Sequence, residues 1–338
     1  MAQQQSFVER PHPGNLIGMQ VIYDPRSGAV EGAAGTVVTI GAYDGVHVGH
    51  RAVIAEVRRL AAERRLLSTV ITFDRHPASI VRPESAPKLL TSLDQKLELL
   101  ATTGVDVTIV VPFDEERSTE SAEEFVHEVV IGCAGAKVVV VGEDFHFGKD
   151  RRGNVELLRA MGVEEGFEVV GMTLMGTDTV AIAHNKVSST AIRQLLSKGE
   201  VGAADTLLDR PYEVRGVVIK GDQRGRTLGF PTANVKLAMD TCLPADGIYA
   251  GWYVRPDGVS LPAAINLGRR PTFYDAQTYS LLEAFIIDWS GDLYDEPCRV
   301  QFVERLRAEL KFDSIDSLVT QMHQDVAKAR HILHIPSA

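Results

Sequence analysis

Between Thr36 and Ser197 the chain repeats one pattern, a short apolar and β-branched run followed by a stretch with helical spacing. Thr36–Ile40 is such a run. After it, Arg51 to Leu67 carries Val53, Ile54, Val57, Leu60 and Ala61 at the i, i+3, i+4, i+7 positions of one helix face. Further strands are expected at Ser68–Phe73, Val105–Val111, Lys137–Val141 and Phe167–Met172. Helices are expected over Ser92–Ala101, Ser121–Val130, Asn154–Met161 and Ser188–Ser197, with Leu16–Tyr23 as an added edge strand and Asp24–Gly35 as a loop. Strands that alternate with helices build an α/β domain whose parallel sheet is covered on both faces. Such a sheet takes its ligands at the carboxyl ends of the strands. Three polar clusters fall at such ends: Gly41–His50, Asp74–Pro77 and Asp144–Gly148.

The pattern changes at Lys198-Gly199-Glu200. Beyond a short helix at Ala203–Leu208 the chain reads as closely spaced strands, Tyr212–Lys220, Ile248–Val254, Leu261–Leu267 and Leu281–Asp288, joined by turns such as Pro256-Asp257-Gly258. Strands of this number and spacing predict a small β-barrel. A terminal helix follows over Ser317–Leu333, with Leu318, Met322, Val326 and Ala329 in register. The 338 residues are enough for two cores. The expected division is 1–18 as a flexible extension, 19–200 as the α/β domain and 201–338 as the barrel domain.

A net charge of −10 argues against a nucleic-acid partner. No apolar run approaches the ~18 residues that span a bilayer, and the N-terminus has no signal-peptide pattern. Cys133, Cys242 and Cys298 are far apart and form no zinc framework, which suits a cytoplasmic chain. No two glycines are separated by a single residue, so GxGxxG does not occur, and Gly142–Asp150 departs from the Walker A spacing.

Gly41-Ala42-Tyr43-Asp44-Gly45-Val46-His47-Val48-Gly49-His50 therefore becomes the candidate nucleotide site. It lies where a strand turns into a helix, and a helix start offers open N–H groups and a positive dipole end to a phosphate. His47 and His50, three apart, would donate to phosphate oxygens; the plainer reading is a tight turn with two solvated histidines. In Ser188–Arg193, Arg193 offers a cation while Ser189 and Thr190 cap the helix. Taken by itself, the hexapeptide reads more simply as an ordinary N-cap followed by a surface arginine.

Taken together, Gly41–His50, Thr72-Phe73-Asp74-Arg75-His76-Pro77, Asp144–Gly148 and Ser188–Arg193 resemble the adenylyltransferase module of prokaryotic bifunctional riboflavin kinase/FAD synthetases, an HxGH nucleotidyltransferase. The second half resembles the kinase module of that family through Gly225–Asn234, Asn266–Phe273, Glu283, Asp292–Tyr294 and Leu306–Phe312. The resemblance runs from about Thr36 to Arg330 in family order. It implies that the barrel makes FMN from riboflavin and ATP, and that the α/β domain makes FAD from FMN and ATP with release of pyrophosphate. The ligands would be riboflavin, FMN, FAD and ATP or ADP, with Mg²⁺ accompanying the nucleotide, and with neither nucleic acid nor membrane as partner. The alternative keeps the kinase and treats the first half as a scaffold. A third reading is a flavin-binding regulator without turnover.

By the resemblance, Glu283, His47, His50 and Arg193 are the catalytic residues. Gly41, Asp44, Asp74, His76, Asp144, Ser189, Thr190, Gly225, Arg226, Gly229, Phe230 and Pro231 bind substrate. Thr232 and Asn234 hold the metal. Glu283 sits in the apolar run Leu281–Phe285, where a carboxylate is unusual without a task; a barrel-exterior glutamate is the other reading. Thr232 and Asn234 are two apart and share a face if extended, and both are neutral oxygen ligands. A turn after Pro231 would also account for them. The chain departs from the family pattern at Tyr43 (phenylalanine), His146 and Ala191 (arginine), Asp295 (glycine) and Phe285 (histidine). His146 and Ala191 thereby remove two cations from the first site.

Overall fold

The computed structural model describes residues 18–31, 34–172, 187–221, 225, 228–269 and 280–336. Most of the N-terminal extension lies outside them. Contacts gather these residues into two compact units, one holding 18–87 and 92–172, the other 88–91 and the residues from 187 onward. The helix at Ser189–Lys198 belongs to the second unit, ahead of the boundary at residue 200 expected from sequence, because Ile192 and Leu196 are buried in the same apolar cluster as the barrel residues Val235, Ile265 and Leu282.

The first unit runs β1 (Gln20–Tyr23), β2 (Thr36–Ile40), α1 (Val48–Arg64), β3 (Leu67–Phe73), α2 (Ala78–Val81), α3 (Leu93–Ala101), β4 (Val107–Val111), α4 (Glu115–Ser118) and α5 (Ala122–Phe125). The chain then continues from α5 as a π-helix over Val126–Cys133, followed by β5 (Ala136–Gly142), α6 (Val155–Glu165) and β6 (Glu168–Met172). All paired strands are parallel, in the order β1-β4-β3-β2-β5-β6. Every residue of β2 and β4 is buried, the near-continuous apolar pattern of a strand covered on both faces. Helix starts follow the sequence: Ser92 with Gln95 and Ser121 with Glu124 form capping boxes, and Asn154 caps α6. The helix expected to reach Val130 is α-helical only to Phe125. From β2 the strand order steps one way to β3 and β4, then crosses to β5 on the opposite side. That reversal opens a crevice at the carboxyl ends of β2 and β5, the position where ligands enter such sheets.

The second unit runs α7 (Ser189–Lys198), α8 (Val201–Leu208), β7 (Tyr212–Ile219), β8 (Thr232–Leu237), β9 (Gly247–Val254), β10 (Ser260–Arg269), β11 (Ser280–Ile286), β12 (Pro297–Arg307) and α9 (Ile315–Ile332). The strands close into an antiparallel barrel in the order β10-β11-β8-β7-β12-β9, with β9 pairing back to β10. Sequence reading missed β8 and β12. In β12 the alternation of Cys298, Val300 and Phe302 is broken by register shifts between Phe302 and Glu304 and between Arg305 and Arg307, so period two fails halfway along. Among the described residues no helix is long and apolar enough to cross a membrane.

Candidate active sites

β2 ends at Ile40, and the chain turns through Gly41–His47 into α1. Tyr43 (φ 50°) and Val46 (φ 39°) take left-handed backbone and are buried. Non-glycine residues held there cost about 1–3 kcal/mol each, so surrounding contacts must enforce the turn. Several do. The Tyr43 hydroxyl pairs with Thr39 Oγ1 at 2.8 Å, the Thr72 hydroxyl donates to the Ala42 carbonyl at 3.1 Å, and the Tyr43 ring packs where a Cβ on Gly41 would stand.

His47 is the N-cap of α1, not a member of its first turn, and its Nδ1 accepts the His50 N–H at 3.3 Å. One N–H that the sequence reading left open to phosphate is therefore used by the histidine itself. An accepting Nδ1 assigns the imidazole proton to Nε2. The two rings stack with centroids 3.6 Å apart. Burial, then His47 and Lys96, hold the His50 pKa well below the usual imidazole range, and His50 Nδ1 is buried with no hydrogen-bond partner.

Beside this turn lies a cavity of about 780 Å³. Gly41 and His76 line it; His47, His50, Asp44, Asp74 and Asp144 do not. Asp74, its side chain 5% exposed, ties loops together by accepting the Phe113 N–H at 2.9 Å and pairing with Arg75 at 3.1 Å. His76 Nδ1 accepts the Ala78 N–H at 3.1 Å. Much of the wall is aromatic, with Phe73 edge-on to Phe113 and Phe145 stacked on Phe147. His146 is on the wall, its Nδ1 2.9 Å from the Asp144 carbonyl oxygen. Sequence reasoning missed Arg82, Arg117 and Arg151, which line the same cavity together with Glu120 and Asp150, so Arg82 and Arg151 offer cations there although His146 is not an arginine. Arg117 is buried and donates to Glu120 and Glu128.

In the second unit Ser188, not Ser189 or Thr190, caps α7 by accepting the Ala191 N–H at 3.2 Å. Ser189 and Thr190 begin the helix. Ala191 packs on the barrel's apolar cluster, and Arg193 Nε donates to the Lys88 carbonyl at 2.7 Å.

The barrel pocket follows from the period of β11. Leu282, Ala284 and Ile286 enter the barrel core, so Glu283 and Phe285 occupy the opposite, outer face. Glu283 therefore stands on the barrel exterior, the position offered as the alternative reading, with α9 across the pocket from it. Glu283 pairs across the ladder with Asn234 on β8 and Asn266 on β10. All three line a pocket of about 400 Å³ with Thr232, Gly225 and Phe230, and Leu318, Met322 and Val326 of α9 form its far wall. Thr232 and Asn234 share one face of β8 rather than a turn. A Cβ on Gly221 would meet the Asn234 amide nitrogen at 2.4 Å, and one on Gly225 the Phe230 carbonyl oxygen at 2.3 Å. Asn266 Oδ1 is buried without a hydrogen-bond partner. Gly229 (φ 83°) and Pro231 belong to the same loop but not to the wall; Arg226 lies outside the described residues. Asp295 stands at φ 61°, the backbone that a glycine would adopt, which aspartate tolerates better than most residues.

Sequence reasoning quoted Arg307 only within Leu306–Phe312 and missed Asp325; the two form an ion pair, Asp325 buried and Arg307 half-buried, that joins β12 to α9 at the pocket wall through contacts of 2.6–3.1 Å. Asp325→Ala strands the guanidinium, and unfolding of the barrel unit followed in urea should show a loss of about 3–5 kcal/mol. Arg307→Met with Asp325→Leu should recover most of it.

A family model for FAD synthetase matches residues 30–191, and one for riboflavin kinase matches residues 208–333. A bifunctional riboflavin kinase/FMN adenylyltransferase of Pseudomonas fluorescens is 38% identical over 305 residues, covering 90% of this chain and 94% of that protein. One of Escherichia coli (strain K12), bearing the same name, is 36% identical over 296 residues, covering 88% and 92%. A crystal structure from Streptococcus pneumoniae, described as a macrolide-efflux protein, superposes with a TM-score of 0.80 at 30% identity, covering 92% of this chain and 98% of that one. Both modules are present in family order, which favours the two-activity reading over a kinase with a scaffold half. With its parallel-sheet domain, its closed barrel and these relatives, the chain belongs to the bifunctional riboflavin kinase/FMN adenylyltransferases, a family of transferases.

Proposed function

We propose that the barrel pocket phosphorylates riboflavin, and that the site at the carboxyl edge of the sheet joins the resulting FMN to ATP. The observation that carries the first step is the row Asn234–Glu283–Asn266 on one pocket wall. As the ribityl 5′-hydroxyl attacks the γ-phosphorus, Glu283 takes its proton and ADP leaves. Asn234 and Asn266 hold the carboxylate between neutral amides, and Phe230 with Phe285 offers an apolar wall to the flavin ring. Gly225 brings backbone close to the phosphates, with Gly229 and Pro231 shaping that loop, and Arg226 is assigned to substrate binding.

The Thr232 hydroxyl and the Asn234 amide suit magnesium: both are neutral oxygen donors on one face, and a glycine at 221 makes room for the amide. Magnesium, bound there with ATP, supplies charge neutralisation on the phosphates.

In the second step an FMN phosphate oxygen forms a bond to the α-phosphorus of ATP and pyrophosphate departs. FMN phosphate is already ionised, so the site needs donors and positive charge rather than a base. His47, protonated at Nε2, and His50 fit that need as neutral donors. Gly41 lets the backbone approach, and the aromatic cavity with His76 receives the flavin. Asp44 and Asp74 order the loops around the histidines. Asp144 is assigned to the nucleotide. Cys133, Cys242 and Cys298 are buried and form no disulfide, which fits a reducing cytoplasm.

The test is chromatography of products after incubation with riboflavin and Mg-ATP. FMN together with FAD is expected. FMN alone would return the first half to a scaffold, and neither product would sink the proposal.

A further inference from the structure

Lys96 belongs to none of the motifs, yet it is one of the most buried charges in the first unit, 6% exposed on α3. It is buried along α3 together with Leu97 and Leu100. Its ammonium donates to the Phe73 carbonyl at 2.7 Å and to the Ala42 carbonyl at 3.2 Å. Phe73 is the last residue of β3 and Ala42 the second residue after β2, so one cation holds the carboxyl ends of two neighbouring strands together. These are the ends from which the histidine turn and the Asp74–Pro77 loop spring. The Ala42 carbonyl immediately precedes the left-handed Tyr43, at the point where that turn must be forced.

We infer that Lys96 is a positioning residue of the adenylyl-transfer site: by clamping the Ala42 and Phe73 carbonyls it holds the His47/His50 turn in register with the cavity wall. The inference rests on the reading of this site as the one that makes FAD. A carbonyl clamp of this kind requires the ammonium, because the neutral amine has fewer donors and none that are charge-assisted. Burial brings the Lys96 pKa down to about 8, against the opposing pull of Asp44 and Asp74. The groups facing it are Asp44 from the histidine turn, Asp74 from the loop after β3, itself paired with Arg75, and His50 from α1. Among these, Lys96 is the group whose proton is lost just above neutrality, so the clamp loosens as pH rises through about 8.

The experiment follows FAD formation from FMN and Mg-ATP by the full chain, with FMN formation from riboflavin as a control for folding. Lys96→Met keeps the apolar stem and removes the clamp; kcat for FAD should fall about 10- to 100-fold, more than KM changes, with FMN formation unaltered. Lys96→Arg restores a permanent cation, and the fall in kcat/KM that the parent shows above about pH 8 should move to higher pH. Lys96→Met within about two-fold of the parent, or an unmoved high-pH limb in Lys96→Arg, overturns the inference even if the first variant folds poorly. A parent that forms no FAD overturns the reading of the site as well.

Discussion

Replacing Glu283 by Gln should reduce FMN formation from riboflavin by about 10²- to 10⁴-fold, the range for loss of a general base. The substitution preserves shape, and Leu282 and Ala284 remain turned to the core, so the barrel should close as before. An amide between Asn234 and Asn266 keeps hydrogen-bonding capacity but cannot accept the hydroxyl proton. The loss should therefore appear in kcat rather than in the KM for riboflavin. FAD formation from added FMN should be unchanged, since the histidine turn lies in the other unit. FMN formation by Glu283→Gln within a few-fold of the parent would remove this residue from the chemistry.

The second large effect is expected from the pair His47→Ala/His50→Ala. Removing both donors should lower FAD formation by at least about 10²-fold, while FMN made from riboflavin accumulates. His47 has two tasks, so the result needs a control. Its Nδ1 caps α1, and losing a cap costs about 1 kcal/mol in its own right. Asn is a good N-cap, so His47→Asn should retain the thermal stability of the parent and still form FAD slowly. Restored FAD formation in His47→Asn would mean that the cap, not the imidazole, is what the reaction requires.

Much of this was legible in the chain because the decisive patterns are local. Ser92, Ser121 and Asn154 announce their helices by caps that need no tertiary information. Gly41–His50, Asp74–Pro77 and Asp144–Gly148 could be placed on one edge because parallel strands put all their carboxyl ends together. Glu283 was visible as a charge interrupting an apolar run. What stayed hidden depends on partners distant in sequence. Lys96 looks like any polar residue between Leu93 and Leu97 until Ala42 and Phe73 bring it their carbonyls. Arg117 reads as a surface arginine until Glu120 and Glu128 bury it. The terminal helix showed its apolar stripe, but not that Leu318, Met322 and Val326 would wall a pocket on the outside of a barrel. Ser188, Ser189 and Thr190 could each be read as the cap, and only backbone geometry singles out Ser188.

The alternation along β11 also bears on how this protein avoids misfolded catalysts. Leu282 and Glu283 are adjacent, one facing the core and the other the pocket. A slip of one position against β8 and β10 would drive the carboxylate inward and set a leucine where the base should stand. No misregistered barrel can then be both stable and half-competent: burying an unpaired carboxylate penalises the wrong pairing by the same displacement that disarms it. Folding fidelity and chemical competence are thus inspected by one residue, and a barrel that has closed stably is by that fact one whose base faces outward.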